Sequence, residues 1–412
     1  MFLPDKVKLI IDRLENNGFC AFAVGGCVRD TLLSRTPDDW DICTDALPDK
    51  ILDIFSDYTT VKTGIKHGTV TVVIDKIPFE ITTFRIDGEY HDGRHPDNVT
   101  FTPSLKEDLK RRDFTINAMA YNDRTGICDY SGGMSDLKNK IIRCVGIPDI
   151  RFSEDALRIL RAIRFLSQLG FKIDINTEES LKKNKALLKN ISQERIKSEF
   201  VKILMSDDCN VYFKYKDIFS VFTHDISVDK YFSNIISALP RSIPIRLSAF
   251  ILNGTKKNVK GDIADFSKNF LYKMKFDKKT ITQTYNIIKN YNIKITDNLQ
   301  SVRKLLSDID FTILSDILLL KKSSTTDYNE IKLYENVLDK MKYIKEKKLC
   351  TKISELDING NDLIEHGYAH GAMTGILLKK ILYMLIENNL ENKKEILLNT
   401  ALKIVQDSEG FN

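Results

Sequence analysis

The sequence has few of the features that mark a secreted or membrane-bound protein. Its seven cysteines include no C-x-x-C pair, and their spacing indicates neither a zinc site nor a disulfide framework, which favours a reducing cytoplasm. No apolar run approaches the roughly 20 residues that cross a bilayer, so no membrane span is expected. The first residues, "MFLPDKVKLIIDRLENNGF", follow an amphipathic helical pattern, with charges where a signal peptide needs an apolar core.

Neither sign of charge dominates the chain. The 62 basic and 57 acidic residues give a net charge of +5, which fits an anionic partner but does not identify one. Hydrophobic residues make up 42% of the 412, which is ample for globular folding. A chain of this length is expected to form about two to four domains. Nothing in the sequence indicates a protein partner.

Two kinds of pattern divide the chain near residue 145. Before it, "CAFAV", "WDIC", "TVTVVI" and "FEITTF" predict strands, with helices at "VRDTLLS" and "DKILDIF". From "SEDALRILRAIRFLSQLG" onward almost every segment has the helical period, with Gly170 as a C-cap. These patterns predict an α+β protein, in which a head with a small mixed sheet precedes an elongated, all-helical neck, body and tail. The predicted ranges are 1–145 for the head, 146–205 for the neck, 206–320 for the body and 321–412 for the tail.

Three aspartates surround the single tryptophan in "TPDDWDIC". Because side chains alternate along a strand, a strand over "DWDIC" places Asp39 and Asp41 on one side and Trp40 on the other. Asp38 then falls on the opposite face or in the turn after Pro37. Two adjacent carboxylates repel each other unless a cation lies between them, and such hard oxygen ligands suit Mg²⁺. A solvated Asp-rich turn is the alternative for the pair taken alone.

A glycine turn adds a phosphate site close to these carboxylates. Gly25 and Gly26 lie between a predicted strand and a helix that carries Arg29. Glycine lets backbone N–H groups approach a phosphate, and the N-terminus of a helix favours an anion. Glu80, on a later strand, is a candidate third carboxylate. The combination predicts phosphoryl-type transfer with metal ions held by carboxylates.

The segment "GGCVRD" followed by "DWDIC" resembles the nucleotidyltransferase signature of the DNA polymerase β superfamily. Further segments resemble, in order, the bacterial-type CCA-adding tRNA nucleotidyltransferases, which are related to poly(A) polymerase. These segments are "RRDFTINAMAYN", "DYSGGMSDLKNKIIR", "EDALRILRAIRF" and "SQERIKSEFVKIL". The second is similar to a D-x3-G-x9-R motif through Asp129, Gly133 and Arg143. The similarity covers residues 20–205, and "LDINGNDLIEHG" is more loosely similar to the C-terminal region of the family.

The resemblance implies an activity and its reactants. Members of this family add C, C and A to the 3′ end of tRNA from CTP and ATP without a template, with Mg²⁺ as cofactor and pyrophosphate as the second product. A cytoplasmic enzyme whose tail binds tRNA is therefore expected, and lysine clusters such as "DKMKYIKEKK" would line the tRNA path. Poly(A) polymerase, an enzyme that adds only part of the CCA end, and a non-catalytic RNA-binding module are the alternatives.

The resemblance also implies roles for residues of the head. Asp39 and Asp41 would bind Mg²⁺ and, with Glu80, form the catalytic set. The implied contacts to the triphosphate come from Gly26, Arg29 and Arg112, with Gly25 beside them in the turn. Asp113 and Asn117 are the residues of "RRDFTINA" that can bond a ribose hydroxyl, which would select ribonucleotides.

The segment "EDALRILRAIRF" predicts recognition of the base by side chains. On one helix Asp155 and Arg158 are neighbours three residues apart, and Arg161 and Arg164 continue the spacing. Asp155 accepts hydrogen bonds and Arg158 only donates. Cytosine and adenine present an amino donor beside a ring-nitrogen acceptor, whereas uracil and guanine present the reverse. The pair would admit C and A and reject U and G, because a wrong base leaves buried polar groups unpaired. A surface ion pair is the alternative.

A loop is predicted between the sheet and the ribose motif, at "RIDGEYHDGRHPDNVTF", residues 85–101. Its glycines and Pro96 favour a loop over a strand. In the family such a loop is needed for the addition of A, and its full length here argues against an enzyme that adds only the two cytidines. His91 and His95 have a glycine between them, so we expect solvated side chains rather than a metal pair.

Overall fold

The computed structural model describes residues 1–88, 98–206, 208–223, 226–255, 261–388 and 390–409. The chain forms two compact units, Met1–Ser227 and Val228–Asn412. The finer division into head, neck, body and tail stays a prediction. In the part of the chain that the structure describes, no helix is both long and apolar enough to cross a membrane.

The strands of the first unit form one mixed seven-stranded sheet and two separate two-stranded sheets. They are β1 (Ala21–Val24), β2 (Asp41–Thr44), β3 (Thr59–Val61), β4 (Thr69–Ile74), β5 (Ile77–Thr83), β6 (Arg85–Asp87), β7 (Val99–Phe101), β8 (Met119–Asn122), β9 (Gly126–Asp129), β10 (Ile141–Ile142) and β11 (Lys172–Ile173). The main sheet has seven strands in the order β3-β4-β5-β2-β1-β8-β9. Its β2 and β5 are parallel and its other neighbours antiparallel. The predicted mixed sheet is confirmed.

The burial of each strand follows from its sequence pattern. The apolar run of β1 is buried at every residue, as expected of a strand in the middle of a sheet that is covered on both faces. In β4, buried and partly buried residues alternate strictly, so one face packs on the core. Because β1 and β2 are central neighbours, the loops at their adjoining ends come together at one point of the sheet edge.

The helices of the first unit surround this sheet and continue after it. They are α1 (Asp5–Asn16), α2 (Gly26–Leu32), α3 (Pro48–Ile54), α4 (Leu105–Lys110), α5 (Gly133–Asn139), α6 (Pro148–Glu154), α7 (Leu157–Leu169), α8 (Ile175–Lys183), α9 (Gln193–Leu204), α10 (Val211–Lys214) and α11 (Lys216–Thr223). The predicted helix over "SEDALRILRAIRFLSQLG" is broken at Asp155, which separates α6 from α7. Gly170 ends α7 in the left-handed conformation, as predicted.

The ends of the predicted loop at residues 85–101 form strands. Strands β6 and β7 pair antiparallel in a two-stranded sheet of their own, so the prediction of loop rather than strand is wrong for these ends. The reason is that the backbone N–H and C=O groups of "RID" and "VTF" form hydrogen bonds with each other. The centre of the segment, with His91 and His95, lies outside the described residues, and the predictions for it stay open.

Helices make up the regular structure described in the second unit. They are α12 (Phe232–Ser237), α13 (Ile243–Gly254), α14 (Ile263–Lys273), α15 (Lys278–Lys289), α16 (Leu299–Asp308), α17 (Phe311–Ser323), α18 (Tyr328–Glu346), α19 (Gly360–Glu365), α20 (Ala372–Glu387) and α21 (Lys394–Glu409). The helices α14 to α18 each begin after an Asp or Asn whose side chain accepts a hydrogen bond from the first turn. Apolar residues of α19, α20 and α21 form a core of their own, which includes Leu363, Ile381 and Leu397.

Candidate active site

Most of the predicted site residues converge on one cavity of about 610 Å³ in the first unit. The predicted residues that line it are Gly25, Gly26, Arg29, Asp39, Asp41, Arg112, Asp113, Asn117, Asp155, Arg158, Arg161 and Arg164. Glu80 does not line the cavity. The fold therefore brings together segments that lie more than a hundred residues apart in the chain.

Gly25 forms the turn that places α2 beside the start of β2. Strand β1 ends one residue earlier, and its antiparallel register with β2 puts that end next to Asp41. Gly25 has φ +85° and ψ −128°, a backbone conformation that residues with a Cβ rarely adopt. A Cβ on Gly25 would also lie 3.1 Å from Nη1 of Arg112. The glycine therefore lets the turn and the Arg112 guanidinium approach each other closely.

Carboxylates gather where β2 begins. The strand starts at Asp41, so Asp39 lies on the segment before it, and the predicted strand over "DWDIC" is too long by two residues. Asp39 nevertheless lines the same cavity as Asp41. Asp38 lies in a bend, one of its two predicted places, and also lines the cavity. Glu80 is opposite Asp41 in the parallel register of β2 and β5, so both side chains leave the same face of the sheet.

The pKa of Asp41 is raised to about 6. Burial is the largest cause, and the charges of Asp39 and Glu80 add to it, whereas Arg112 acts in the opposite direction. Asp41 is nevertheless an exposed residue, so solvent reaches its side chain although many protein atoms lie around it. Burial and the neighbouring carboxylates therefore both disfavour the charged form of Asp41 at this end of the cavity.

The acidic end fits a divalent cation with room for other ligands. Mg²⁺ prefers carboxylate oxygens and keeps waters and substrate phosphates in its shell. Among the residues described, no group of three or more His, Cys, Asp and Glu is arranged to hold a metal ion. Asp39 and Asp41 would thus supply only part of a coordination shell. A bound cation would also relieve the repulsion that raises the pKa of Asp41.

Arg111 and Arg112 share the buried carboxylate of Asp108 on α4. Its Oδ1 accepts from Nε and Nη2 of Arg111 at 2.9 and 2.8 Å, and its Oδ2 accepts from Nη2 of Arg112 at 3.4 Å. Burial disfavours the charged form of Asp108, but the two arginines outweigh burial and hold its pKa below the usual value. Nε of Arg112 is buried and has no hydrogen-bond partner in the described structure. Arg112 also lines the cavity, which places its guanidinium beside the glycine turn.

Asp113 is the centre of a buried network. Its Oδ2 accepts from Nε and Nη2 of Arg161 at 2.7 and 2.6 Å, and its Oδ1 accepts from Nδ2 of Asn117 at 3.0 Å. Oδ1 of Asn117 accepts from Nη1 of Arg29 at 2.6 Å. Burial opposes the charge of Asp113, but Arg161 outweighs it and the pKa falls well below its usual range. A ribose contact from Asp113 stays a prediction, and it would require this carboxylate to share or exchange a partner.

Asp155 and Arg158 line the cavity at the junction of α6 and α7. Asp155 is the C-cap of α6 with φ −145° and ψ 101°, so the prediction that the two residues share a helical face is wrong. Oδ1 of Asp155 accepts from the backbone N–H of Leu157 at 3.0 Å, and this bond favours the break. Oδ2 of Asp155 accepts from Nη2 of Arg195 at 2.7 Å. Arg158 donates through Nη1 to Oε2 of Glu154 at 2.6 Å.

The ring of Phe165 lies among three of the site arginines. The guanidinium carbons of Arg164, Arg29 and Arg161 are 4.4, 4.9 and 5.5 Å from the ring centroid, which are cation–π distances. Nη1 of Arg164 also pairs with the buried Glu199 at 3.1 Å. Burial, followed by repulsion from Arg161, lowers the pKa of Arg164 to about 10. The sequence did not single out Phe165, because an aromatic residue at helical spacing predicts a core position.

Four further polar residues line the cavity without having been predicted. They are Asp30, Arg111, Gln168 and Lys202. Asp30 accepts from Nε and Nη2 of its neighbour Arg29 at 2.9 and 2.7 Å. The available signal for Asp30 and Lys202 was their position inside the segments "GGCVRD" and "SQERIKSEFVKIL".

Three families match consecutive parts of the chain. Residues 21–143 match the family described as Poly A polymerase head domain. Residues 170–215 match the one described as Probable RNA and SrmB- binding site of polymerase A. Residues 262–401 match tRNA nucleotidyltransferase domain 2 putative.

Curated relatives and solved structures match over nearly the whole chain. The CCA-adding enzyme of Ligilactobacillus salivarius is 38% identical, with 98% of each chain covered, and that of Lactobacillus helveticus is 38% identical, with 95% of this chain and 96% of that one covered. The crystal structure of Bacillus stearothermophilus CCA-adding enzyme in complex with CTP superposes with a TM-score of 0.79 at 29% identity, covering 100% of both chains. The Thermotoga maritima CCA-adding enzyme complexed with tRNA_CCA has the same fold, with a TM-score of 0.63 at 21% identity, 98% of this chain and 96% of that chain being covered.

Proposed function

Because this chain belongs to the family of CCA-adding enzymes, we propose that it adds C, C and A in turn to the 3′ end of tRNA, using CTP and ATP and no nucleic-acid template. The observation that carries the proposal is the single cavity lined by Asp39, Asp41, Asp155 and Arg158. A carboxylate pair suited to metal-assisted phosphoryl transfer thus lies in one space with an acceptor and a donor suited to C and A.

In the proposed reaction the 3′ hydroxyl of tRNA attacks the α-phosphorus of the nucleotide. A new phosphodiester bond forms, the bond to the β-phosphate breaks, and pyrophosphate leaves. Nucleotidyltransferases of this type use a divalent metal ion. Asp39 and Asp41 would hold this ion, which we propose to be Mg²⁺, and it would neutralise charge at the transferred phosphoryl group. Arg29, Arg112 and the backbone N–H of Gly26 would bind the triphosphate and stabilise the leaving pyrophosphate.

The test of this function uses tRNA lacking one, two or three terminal nucleotides, with each nucleoside triphosphate alone and in mixtures. We expect CTP alone to add two residues to the tRNA that lacks three, and ATP alone to add one residue only to the tRNA that lacks one. CTP and ATP together should restore all three ends. Length and sequence of the products are read by gel and by sequencing.

Other outcomes of the same assay identify the alternatives. Runs of adenosine on every tRNA would indicate a poly(A) polymerase, and use of CTP without ATP would indicate an enzyme that adds part of the end. Absence of any product would favour a non-catalytic RNA-binding module. The carboxylates of Asp39 and Asp41 in one cavity argue against that alternative.

We further propose that lysines of the second unit contact tRNA phosphates. Lys345 and Lys348 line a cavity of about 650 Å³ in this unit, together with the ring of Phe311. Both lysines are exposed, and the ammonium of Lys345 lies 5.3 Å from the ring centroid. Exposed lysines beside an aromatic ring suit the backbone and bases of RNA.

Binding of tRNA to the intact chain should weaken linearly with the logarithm of salt concentration, by about 0.7–0.9 log units of affinity per log unit of salt for each phosphate contacted. Replacing Lys345 and Lys348 together by Gln should lower this slope by roughly 1.4–1.8, since two contacts are lost. The affinity for ATP should stay the same. The matched control is Lys342→Gln, on the same helix as Lys345, and Lys342 pairs with Asp339 at 3.1 Å. An unchanged slope in the double variant would place the tRNA contacts elsewhere.

A cytoplasmic location is part of the proposal and rests on cysteine chemistry. All seven cysteines are free thiols, and Cys27, Cys43, Cys144, Cys209 and Cys350 are buried. Free buried thiols without disulfide partners are the state that a reducing compartment maintains.

A further inference from the structure

Two hydrogen bonds orient the carboxylate of Asp155. The backbone N–H of Leu157 donates to Oδ1 at 3.0 Å, and Nη2 of Arg195 donates to Oδ2 at 2.7 Å. Since Asp155 lies between two helices and not inside one, no regular helical neighbours restrain its side chain. Each oxygen of a carboxylate can accept two hydrogen bonds, so both oxygens keep acceptor capacity for a base. With Oδ1 bonded to the backbone of Leu157, the hydrogen bond from Arg195 to Oδ2 sets the rotation of the carboxylate group.

The position of Arg195 at the third residue of α9 calls for a compensating anion. The first turn of a helix carries unpaired N–H groups and a partial positive charge, which disfavour a cation there. Asp155, 40 residues earlier in the chain, provides the anion. The two side chains are only 19% and 14% exposed, so this pair is not an ordinary solvent-screened surface contact.

Other arginine side chains line the cavity and could form an ion pair with Asp155 if Arg195 were absent. Arg158 and Arg161 line the same cavity. They are engaged by carboxylates of their own, Glu154 at 2.6 Å and Asp113 at 2.6 Å. A carboxylate that is held through one oxygen only could turn toward these arginines. It would then offer its acceptor in a different direction.

We propose that Arg195 is a specificity-determining positioning residue, which holds Asp155 in the orientation that distinguishes the amino group of C and A from the carbonyl of U and G. This inference rests on the proposed function. Arg195 acts through Asp155 and need not touch the nucleotide. Arg158 is held in the corresponding way by Glu154 and by the carbonyl oxygen of Arg111, at 3.2 Å from its Nη2.

The test compares kcat/KM for CTP and UTP on tRNA that lacks three nucleotides, using the full chain. Arg195→Gln should lower the CTP-to-UTP ratio by about tenfold or more, because a misplaced acceptor no longer penalises the wrong base. Arg195→Lys, which keeps the charge, should keep part of the ratio. In an Asp155→Ala background, Arg195→Gln should change the ratio by less than about twofold, since residues that act as a unit are not additive.

Arg13→Gln is the matched control, because Arg13 makes a two-pronged pair with Asp57 at 2.9 and 2.6 Å outside the cavity. It should leave the ratio unchanged. An equal loss for CTP and UTP in Arg195→Gln would mean a merely structural role and overturn the proposal, as would an additive effect in the Asp155→Ala background. If Arg195→Gln does not fold, Arg195→Lys provides the same comparison. Failure of the wild type to prefer CTP would instead count against the proposed function itself.

Discussion

Replacing Asp41 by alanine should lower the rate of nucleotide addition by about 10³-fold or more while the protein stays folded. Loss of this carboxylate would weaken cation binding and remove charge stabilisation at the transferred phosphoryl group, an effect of several kcal/mol, and about 4 kcal/mol corresponds to 10³ in rate. Asp39→Ala should have a similar effect. Because burial and Asp39 already disfavour the charge on Asp41, its removal should not destabilise the first unit. Single-turnover addition and thermal unfolding, measured on the same samples, check both statements.

Asp38→Ala is the control for this prediction. Asp38 lines the same cavity but lies in the bend before the paired carboxylates, so its loss should slow the reaction much less. If Asp38→Ala were inactive and Asp39→Ala active, the assignment of the cation-binding pair would be wrong. A large drop in the unfolding temperature of Asp41→Ala would show that Asp41 supports the fold and not only the chemistry.

Replacing Asp155 or Arg158 by alanine should reduce activity and relax the choice of base together. Asp155→Ala removes the acceptor that fits C and A and also the repulsion against the carbonyl of U and G. Sites with buried polar groups reject wrong partners by several orders of magnitude, so we expect discrimination to fall by about tenfold or more. Arg158→Ala should act likewise and also leave Glu154 without its 2.6 Å partner. Single-nucleotide addition with each of the four NTPs measures the change.

Wild-type preference among the four NTPs in both variants would contradict this interpretation. Base choice would then reside in the RNA or in other residues of the cavity. Phe165→Leu is a useful control, since it keeps an apolar side chain beside the arginines and leaves Asp155 and Arg158 in place. It should change the affinity for CTP and ATP more than the ratio between correct and incorrect nucleotides.

The sequence predicted the parts of the site that depend on local pattern. Alternation along a strand paired Asp39 with Asp41, and both line the cavity although the strand begins only at Asp41. The break at Asp155 was missed because most residues of "EDALRIL" favour a helix, although aspartate itself does not. Its cause is the side chain of Asp155 itself, which takes the N–H of Leu157.

The contacts that hold Arg161 and Arg164 could not be predicted, because they join distant segments. Arg164 meets Glu199 and Arg161 meets Asp113, 35 and 48 residues away in the chain. Spacing within one helix says nothing about such partners. Asp108 differs, because its partners Arg111 and Arg112 lie three and four residues later in its own segment, and only its burial depends on the packing of α4.

The pairing of site arginines with buried carboxylates also affects how the growth phenotypes of variants of this protein should be interpreted. Removing Arg161 would leave the buried Asp113 without its ion-pair partner. An uncompensated buried charge lowers the free energy of unfolding by about 3–5 kcal/mol. That is a large part of the roughly 5–15 kcal/mol that keeps a domain folded. In living cells such variants would be degraded as well as inactive, since small losses of stability change abundance several-fold. A growth screen would then count Arg161 and Arg164 among the most essential residues even if their direct contribution to chemistry were modest.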